Sequence, residues 1–174
     1  GGHALVGRGV QVVGVPATID NDVGGSDFSV GFDTALNTVL DAVFRIRDTA
    51  SALERVFVIE VMGRTSGQLA LAAGVVGGAD IVVIPEIPWD HKEAGREALQ
   101  GHRHGKMHTI AIVAEGAASG EEVARLLSEQ MPGMDVKVSV LGHLQRGGSP
   151  TARDRLVASQ LGAKAVDLLL DGMT

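Results

Sequence analysis

The chain has no cysteine and no tyrosine, and its aromatic residues are one tryptophan and four phenylalanines. The absence of cysteine excludes a disulfide framework and any metal site built on thiolates. It is typical of proteins in a reducing compartment, so we expect a cytoplasmic protein. Because aromatic rings are so scarce, the interior must be built from the aliphatic side chains that dominate the 45% of apolar residues.

Long apolar runs and blocks of basic residues are also missing. No stretch approaches the roughly 18 consecutive apolar residues that a membrane-spanning helix needs, so we expect no membrane partner. The 15 basic residues are outnumbered by 21 acidic ones, which gives a net charge of −6. Nucleic-acid binders usually carry a basic face, so no nucleic-acid partner is expected. Any anionic ligand must be held by a few local arginines, since the overall field is negative.

Glycine, in contrast, is abundant, at 24 of 174 residues. This is about twice the usual share of roughly 7%. Such an excess indicates tight turns between strands and helices, or backbone that approaches a ligand closely.

Apolar segments alternate regularly with amphipathic ones. Strands are expected at residues 11–15, 56–62, 80–86, 109–116 and 136–142, each followed by a helical pattern. Asp33 is the expected N-cap of the first of these helices. Alternating strands and helices predict a parallel sheet, and continuously apolar strands predict that both of its faces are covered. We therefore expect an α/β fold, a three-layer α/β/α sandwich around a parallel sheet.

Ligands of open α/β sheets bind beyond the carboxyl ends of the strands. The first segment in such a position is "TIDND", which places Asp20 and Asp22 around one asparagine. In an extended segment, residues two apart point the same way, so both carboxylates would face one ligand. They suit Mg²⁺ coordination or acceptance of a hydroxyl proton. The alternative is a turn in which Asp and Asn bond their own backbone.

Three other strand ends carry candidate residues. Gly63 and Arg64 precede a helix start, where free N–H groups and a guanidinium together favour an anion. His143 and Arg146 precede a Gly-Gly pair and a second helix start, and they could hold a phosphate. Glu115 could accept hydrogen bonds from sugar hydroxyls. The alternatives are a solvated loop arginine, a structural histidine and a solvated strand end.

Taken together, the segments resemble bacterial-type ATP-dependent 6-phosphofructokinases. The matching strings are "VGVPATIDNDVGGSDFSVGFDTALNTVLDAVFRIRDTA", "ERVFVIEVMGRTSG", "IVAEG" and "VLGHLQRGGSPTARDRLVASQLGAKAV". They occur in family order and cover nearly the whole chain. The resemblance implies a phosphofructokinase-like fold and a glycolytic kinase that transfers the γ-phosphoryl of Mg²⁺-ATP to the 1-hydroxyl of fructose 6-phosphate. ATP, its product ADP and the sugar phosphate are the implied partners.

The resemblance also implies roles for individual residues. Asp20 would be the base for the sugar hydroxyl, with Thr18 beside it. Asp22 would act near the metal, indirectly, and near the transferred group. The remaining site residues would lie along the sugar phosphate: Met62, Gly63 and Arg64, with Arg64 also stabilising the transition state, Glu115 at the sugar hydroxyls, and His143 and Arg146 at the 6-phosphate.

Further residues match positions between subunits. Arg55 and Lys137 would reach into the site of a neighbouring subunit, which implies the family's homotetramer. Lys137 stands where the family usually has an arginine, and it keeps the charge but loses the fork geometry. An effector nucleotide site that would make the enzyme allosteric is implied at Arg47, Gly78, Asp80 and Lys106.

No complete glycine-rich nucleotide loop is present. We therefore expect a piece of a longer protein, inactive alone, whose donor loop precedes Gly1. Residues 1–30 would be the tail of the nucleotide-binding domain, 31–146 the fructose 6-phosphate and effector domain, and 147–174 a helix that returns to the first domain.

Two alternatives stay open. One is a pyrophosphate-dependent phosphotransferase, and the other is a non-catalytic sugar-phosphate-binding regulatory subunit. Pyrophosphate-dependent relatives usually carry lysine where this chain has Ala17, which favours ATP as the donor. The intact "TIDND" and Arg64 disfavour a subunit that only binds.

Overall fold

The computed structural model describes residues 1–53 and 55–173. Glu54, inside the predicted substrate domain, and Thr174, the last residue of the predicted returning segment, lie outside the described residues. The described residues form four strands and six α-helices: α1 (Gly2–Val6), α2 (Phe32–Leu53), β1 (Val56–Val61), α3 (Gln68–Gly77), β2 (Ile81–Val83), α4 (His91–Arg103), β3 (Thr109–Ala114), α5 (Gly120–Gln130), β4 (Val136–Val140) and α6 (Ala152–Leu170). A 3₁₀-helix spans Gly142–Arg146.

The four strands form one parallel sheet in the order β2-β3-β1-β4. In the centre of the sheet, Val56 lies opposite Thr109 of β3 on one side and Val136 of β4 on the other. The strands expected at 56–62, 80–86, 109–116 and 136–142 are confirmed, although β2 keeps only three residues. The predicted parallel α/β sheet is therefore confirmed.

Both faces of the sheet are covered by helices. On β1, Phe57, Ile59 and Val61 pack with α2 and α3 in one apolar cluster. Val56 and Val58 belong to a second cluster with α4 and α5. Successive strand residues point to opposite faces, so one apolar strand serves two cores. This is the predicted three-layer α/β/α sandwich.

Two local expectations were wrong. Residues 11–15 do not form a strand. Val15, the last of them, is 39% exposed, and the preceding Val10 is 47% exposed. An apolar run becomes a strand only where another strand satisfies its backbone groups, and no described strand pairs with it. Asp33 is not an N-cap, because α2 already begins at Phe32 and Asp33 lies in its first turn.

The first turn of α2 is held by a carboxylate from α6. Asp154 is only 4% exposed, and it accepts hydrogen bonds from the N–H groups of Gly31 (2.9 Å) and Thr34 (2.8 Å) and from the Thr34 hydroxyl. Thr151 caps α6 by accepting from the Asp154 N–H at 3.2 Å. The Asp154 carboxylate thus caps one helix start while sitting in the first turn of another, where helix dipoles favour negative charge.

Burial raises the pKa of Asp154, but the hydrogen bonds from Thr34 and Gly31 and the nearby charge of Arg153 outweigh burial and bring its pKa below the usual range. Hydrogen bonds to the ionised form stabilise that form. The junction of α2 and α6 therefore depends on an ionised carboxylate.

Within the described residues, no helix has the length and apolar character needed to cross a membrane.

Replacing this carboxylate gives the first prediction. Asp154→Asn should lower the free energy of unfolding by about 1–3 kcal/mol near neutral pH, because an amide cannot accept all three hydrogen bonds. A depressed carboxyl pKa contributes stability above the unfolded value of about 3.9, and this contribution is lost as the pH falls through the folded pKa. Urea denaturation should thus show a constant deficit at pH 5–7 that shrinks below about pH 3.9.

Asp167→Asn is the matched control, since Asp167 is an exposed carboxylate on the same helix. Its stability should follow the unsubstituted protein at every pH. An Asp154→Asn deficit that is absent at pH 7 would contradict this description of the junction.

Candidate active site at the carboxyl ends of the strands

The loop after β1 has an unusual backbone. Gly63 has φ of 150° and Arg64 has φ of 53°, in the left-handed region. A non-glycine residue there costs on the order of 1–3 kcal/mol and persists only when its surroundings hold it. The Ser66 N–H closes the loop by donating to the Gly63 carbonyl at 2.8 Å. The guanidinium-bearing Arg64 is exposed at the tip.

The end of β3 holds this loop in place. The Glu115 Oε1 accepts hydrogen bonds from the N–H groups of Gly63 (3.2 Å) and Arg64 (2.9 Å). Gly116 lies so close that a Cβ at this position would sit 1.9 Å from the Arg64 carbonyl oxygen. Glu115, which sequence reasoning assigned to sugar hydroxyls, therefore also fixes the backbone conformation of Arg64.

The "TIDND" segment is a turn and is not extended. Asn21 has φ of 53°, and its side-chain oxygen accepts from the Ser29 N–H at 2.8 Å. Asp20 is 8% exposed, whereas Asp22 is exposed. The expected extended segment was wrong and the alternative turn is confirmed, because a left-handed residue between the two aspartates breaks the two-residue alternation. Asparagine tolerates the left-handed conformation, so a tight turn at Asn21 replaces the extended segment.

Although "TIDND" does not follow a strand, tertiary contacts bring it to the same edge of the sheet. The Ser66 hydroxyl donates to the Asp20 carbonyl at 2.9 Å and links the turn to the Arg64 loop. The Asp20 N–H donates to the Thr18 hydroxyl oxygen at 3.3 Å. A cavity of about 190 Å³ has both Ile19 and Arg146 in its wall.

A residue that sequence reasoning missed lies between His143 and Arg146. Gln145 is 1% exposed; its Oε1 accepts from the Met62 N–H at 3.2 Å, and its Nε2 donates to the Gly142 carbonyl at 3.0 Å. His143 and Arg146 are exposed. Residues three apart share one face of a 3₁₀-helix, so the residue between such a pair points elsewhere. Leu144 also lies between this pair and is 68% exposed, so the spacing by itself gives no signal for the burial of Gln145.

Arg55 and Lys137 are not brought to this edge within the chain. Both bind Asp135, at 2.7 Å from the Arg55 Nε and 2.8 Å from the Lys137 Nζ. Arg55 directly precedes β1 and Lys137 is the second residue of β4, so the pair lies at the amino ends of the strands. The hydrogen bond from Lys137, followed by the charges of Lys137 and Arg55, keeps the pKa of Asp135 below its usual range.

The residues predicted for an effector also lie near the amino ends of strands, and they are close together. The Arg47 guanidinium donates to the Gly78 carbonyl at 2.8 Å. Lys106 forms an ion pair with Asp80, whose other oxygen accepts from the Ile110 N–H at 2.8 Å. The structure thus groups the four predicted residues.

The described residues contain no group of three or more histidine or carboxylate side chains positioned to hold a metal ion. Mg²⁺ is commonly bound by one or two carboxylates together with substrate phosphates and water. The exposed Asp22 fits such a partial contribution and does not form a closed site.

Comparisons with known proteins show the family of the chain. The family model described as Phosphofructokinase matches residues 1–169. The ATP-dependent 6-phosphofructokinase of Bacillus subtilis is 55% identical over 172 residues, which are 99% of this chain and 54% of that protein. ATP-dependent 6-phosphofructokinase 1 of Clostridium perfringens is 49% identical over 174 residues, all of this chain and 54% of that protein. The chain thus spans about half the length of these curated relatives.

Solved structures are also similar. Phosphofructokinase from Saccharomyces cerevisiae superposes with a TM-score of 0.83 at 38% identity, covering 90% of this chain and 22% of that one. Pyrophosphate-dependent phosphofructokinase from Marinobacter aquaeolei gives a TM-score of 0.79 at 25% identity, covering 99% and 48%. A family match across almost the whole chain, together with the shared fold, means that this chain belongs to the phosphofructokinase family.

Proposed function

We propose that this chain is the sugar-phosphate-binding part of an ATP-dependent 6-phosphofructokinase. The observation that carries the proposal is the hydrogen bond from the Ser66 hydroxyl to the main-chain carbonyl of Asp20, because it joins the turn that carries this buried aspartate to the loop that presents Arg64. A base and a cation held at one strand edge are what phosphoryl transfer to a hydroxyl requires. The names of the curated relatives supply the reaction class, phosphorylation of fructose 6-phosphate by ATP.

In this proposal, Asp20 accepts the proton of the sugar 1-hydroxyl as the phosphoryl group arrives. A free aspartate has a pKa near ~3.9 and is a weak base for an alcohol, but such assistance still contributes roughly 10²–10⁴-fold. Arg64 stabilises the charge that develops on the transferred group. The hydrogen bonds from its own N–H and that of Gly63 to Glu115 preorganise this arginine, so little reorganisation accompanies reaction.

The sugar phosphate is bound mainly by exposed side chains. His143 and Arg146 bind the 6-phosphate, and Met62 and Gly63 lie along the sugar phosphate. Thr18 contacts the sugar beside the base, and Glu115 adds contacts to sugar hydroxyls. When present with ATP, Mg²⁺ supplies neutralisation of the phosphate charges, and Asp22 is the residue of this chain that approaches it.

The amino ends of the strands serve other subunits in this proposal. Arg55 and Lys137, held side by side by Asp135, complete the site of a neighbouring subunit in a homotetramer. Their position at the end of the sheet opposite the catalytic edge supports a contribution in trans. Arg47, Gly78, Asp80 and Lys106 bind an allosteric effector nucleotide.

The proposed division of the chain follows the same logic. Residues 1–30 end a nucleotide-binding domain, 31–146 form the substrate and effector domain, and 147–174 lead back to the first domain. The protein acts in the cytoplasm in glycolysis.

The donor is tested with the chain at its natural full length. Fructose 6-phosphate and Mg²⁺ are mixed with ATP or with pyrophosphate, and fructose 1,6-bisphosphate is followed. We expect turnover with ATP alone. Turnover only with pyrophosphate would change the donor and keep the acceptor site, whereas sugar-phosphate binding without turnover would indicate a regulatory subunit.

The proposed base gives the next prediction. Asp20→Ser should lower kcat by about 10²–10⁴-fold and leave the KM for fructose 6-phosphate nearly unchanged, because only transition-state stabilisation is removed. Steady-state kinetics with saturating ATP measure both constants. The control Asp27→Ser removes an exposed carboxylate from the same loop and should keep the original kcat. An Asp20→Ser enzyme with normal kcat is incompatible with the assignment.

Close packing at Gly116 gives a further prediction. Gly116→Ala must push away the Arg64 backbone, at a cost of typically 1–3 kcal/mol in stability. It should also lower kcat/KM for fructose 6-phosphate, since Arg64 moves with its loop. Thermal unfolding and kinetics measure the two effects. Gly14→Ala is the control, because a Cβ at Gly14 would meet nothing within 4 Å. Equal kinetics in the two variants would exclude the inferred coupling.

A further inference from the structure

The amide of Gln145 takes the place of a missing strand residue. At the β4 side of β1, the Leu141 N–H donates to the Glu60 carbonyl at 3.1 Å. In a regular parallel ladder, the next donor on this side of β1, the Met62 N–H, would bind a main-chain carbonyl of the continuing neighbour strand. The chain instead turns into the 3₁₀-helix Gly142–Arg146, and the Gln145 Oε1 accepts from the Met62 N–H at 3.2 Å.

The same side chain also determines how this helix starts. The Gln145 Nε2 donates to the Gly142 carbonyl at 3.0 Å, and Gly142 has φ of 50°. The amide thus joins the first residue of this 3₁₀-helix to the residue that follows the central strand. Because Gln145 is only 1% exposed, water has little access to compete for either of its hydrogen bonds.

The residues on either side of this anchor face outward. His143 and Arg146 are exposed, whereas the Met62 N–H that Gln145 binds belongs to the residue before Gly63 and Arg64. The buried amide of Gln145 therefore sets the distance between the His143–Arg146 helix and the Met62–Arg64 loop, and both segments carry an exposed arginine. A ligand that bridges the segments is sensitive to this distance, since small misplacements of binding groups are costly.

We propose that Gln145 is a positioning residue for sugar-phosphate binding: its amide holds the His143–Arg146 helix at a fixed distance from the Met62–Arg64 loop. The proposal deepens the proposed function and rests on it. Gln145 touches no reacting atom. Its loss frees the His143–Arg146 helix, whereas Glu115 still holds the backbone of Gly63 and Arg64. Binding of the sugar phosphate, which contacts both segments, is therefore weakened, while binding of the phosphoryl donor and the chemical step are unchanged.

The test uses Gln145→Met, which keeps the length and removes both hydrogen bonds. In the full-length enzyme, the KM for fructose 6-phosphate and its Kd measured by calorimetry should rise about tenfold, because the displaced helix no longer places its phosphate-binding groups correctly. The kcat and the KM for ATP should change less than about twofold, which corresponds to less than ~0.4 kcal/mol. Gln100→Met, a substitution of an exposed glutamine on α4, is the matched control and should change none of these constants.

A double variant separates positioning from a general loss of stability. If Gln145 acts by placing Arg146, then Gln145→Met should add less than about twofold to the KM of Arg146→Ala. A lower melting temperature with an unchanged KM for fructose 6-phosphate would overturn the proposal. So would an equal rise in both KM values, or a full tenfold effect in the Arg146→Ala background.

Two further outcomes are distinguishable. An unsubstituted enzyme that binds fructose 6-phosphate without turnover refutes the kinase but leaves the Kd test of Gln145 intact. An unsubstituted enzyme that shows no binding and no turnover refutes both.

If Gln145→Met does not fold, Gln145→Glu keeps the acceptor for Met62 but opposes the Gly142 carbonyl with a second oxygen, and the same rise in Kd is expected. An unchanged Kd in that variant overturns the proposal.

Discussion

The parallel pairing of β1 with β3 is the contact on which the candidate site depends. Their register places Val61 beside Ala114, so the segments that follow the two strands leave the sheet side by side. The Arg64 loop and Glu115 follow at once, close enough for two hydrogen bonds. A shift of one residue would turn Glu115 to the other face and leave the left-handed Arg64 without its anchor.

Polar side chains, of which Gln145 is buried, accept hydrogen bonds from backbone N–H groups where the strands end. Glu115, Gln145 and Glu86 accept backbone N–H groups at the ends of the sheet, and Glu86 does so at 2.7 Å from Gly67. The Met62 N–H has lost its ladder partner, and the N–H groups of Gly63, Arg64 and Gly67 lie in the loop and at the helix start that follow β1. A backbone donor left buried and unpaired would be costly. The loops can then leave the sheet abruptly and expose their cationic side chains, while the backbone under them stays fixed.

The two ends of the sheet carry charges of different use. At the carboxyl ends, Arg64 and Arg146 are exposed near a buried aspartate. At the amino ends, Arg55 and Lys137 share Asp135, and Lys106 pairs with Asp80. These partly exposed ion pairs contribute little to stability. The length of the central strands keeps the two groups apart within one chain.

Much of this could be predicted from the sequence. The alternation of β-branched runs with amphipathic segments predicted a parallel sheet covered on both faces. Strands and helices differ in the spacing of their apolar residues, and this spacing can be read within a short stretch of sequence. The positions of Arg64, Glu115, His143 and Arg146 at strand ends followed from the same reading. The motifs also determined the family.

The tertiary structure alone decided the rest. Residues 11–15 have the pattern of a strand but lack a described partner, and partnership is not written in local sequence. The turn at Asn21 depends on a contact with Ser29, and the placement of Asp20 depends on a contact with Ser66. The anchoring amide of Gln145 depends on Met62. Ser66 and Met62 are far from their partners along the chain. Hydrogen bonds across such separations form only when the whole sheet is assembled, so spacing could name the candidate residues but could not orient them.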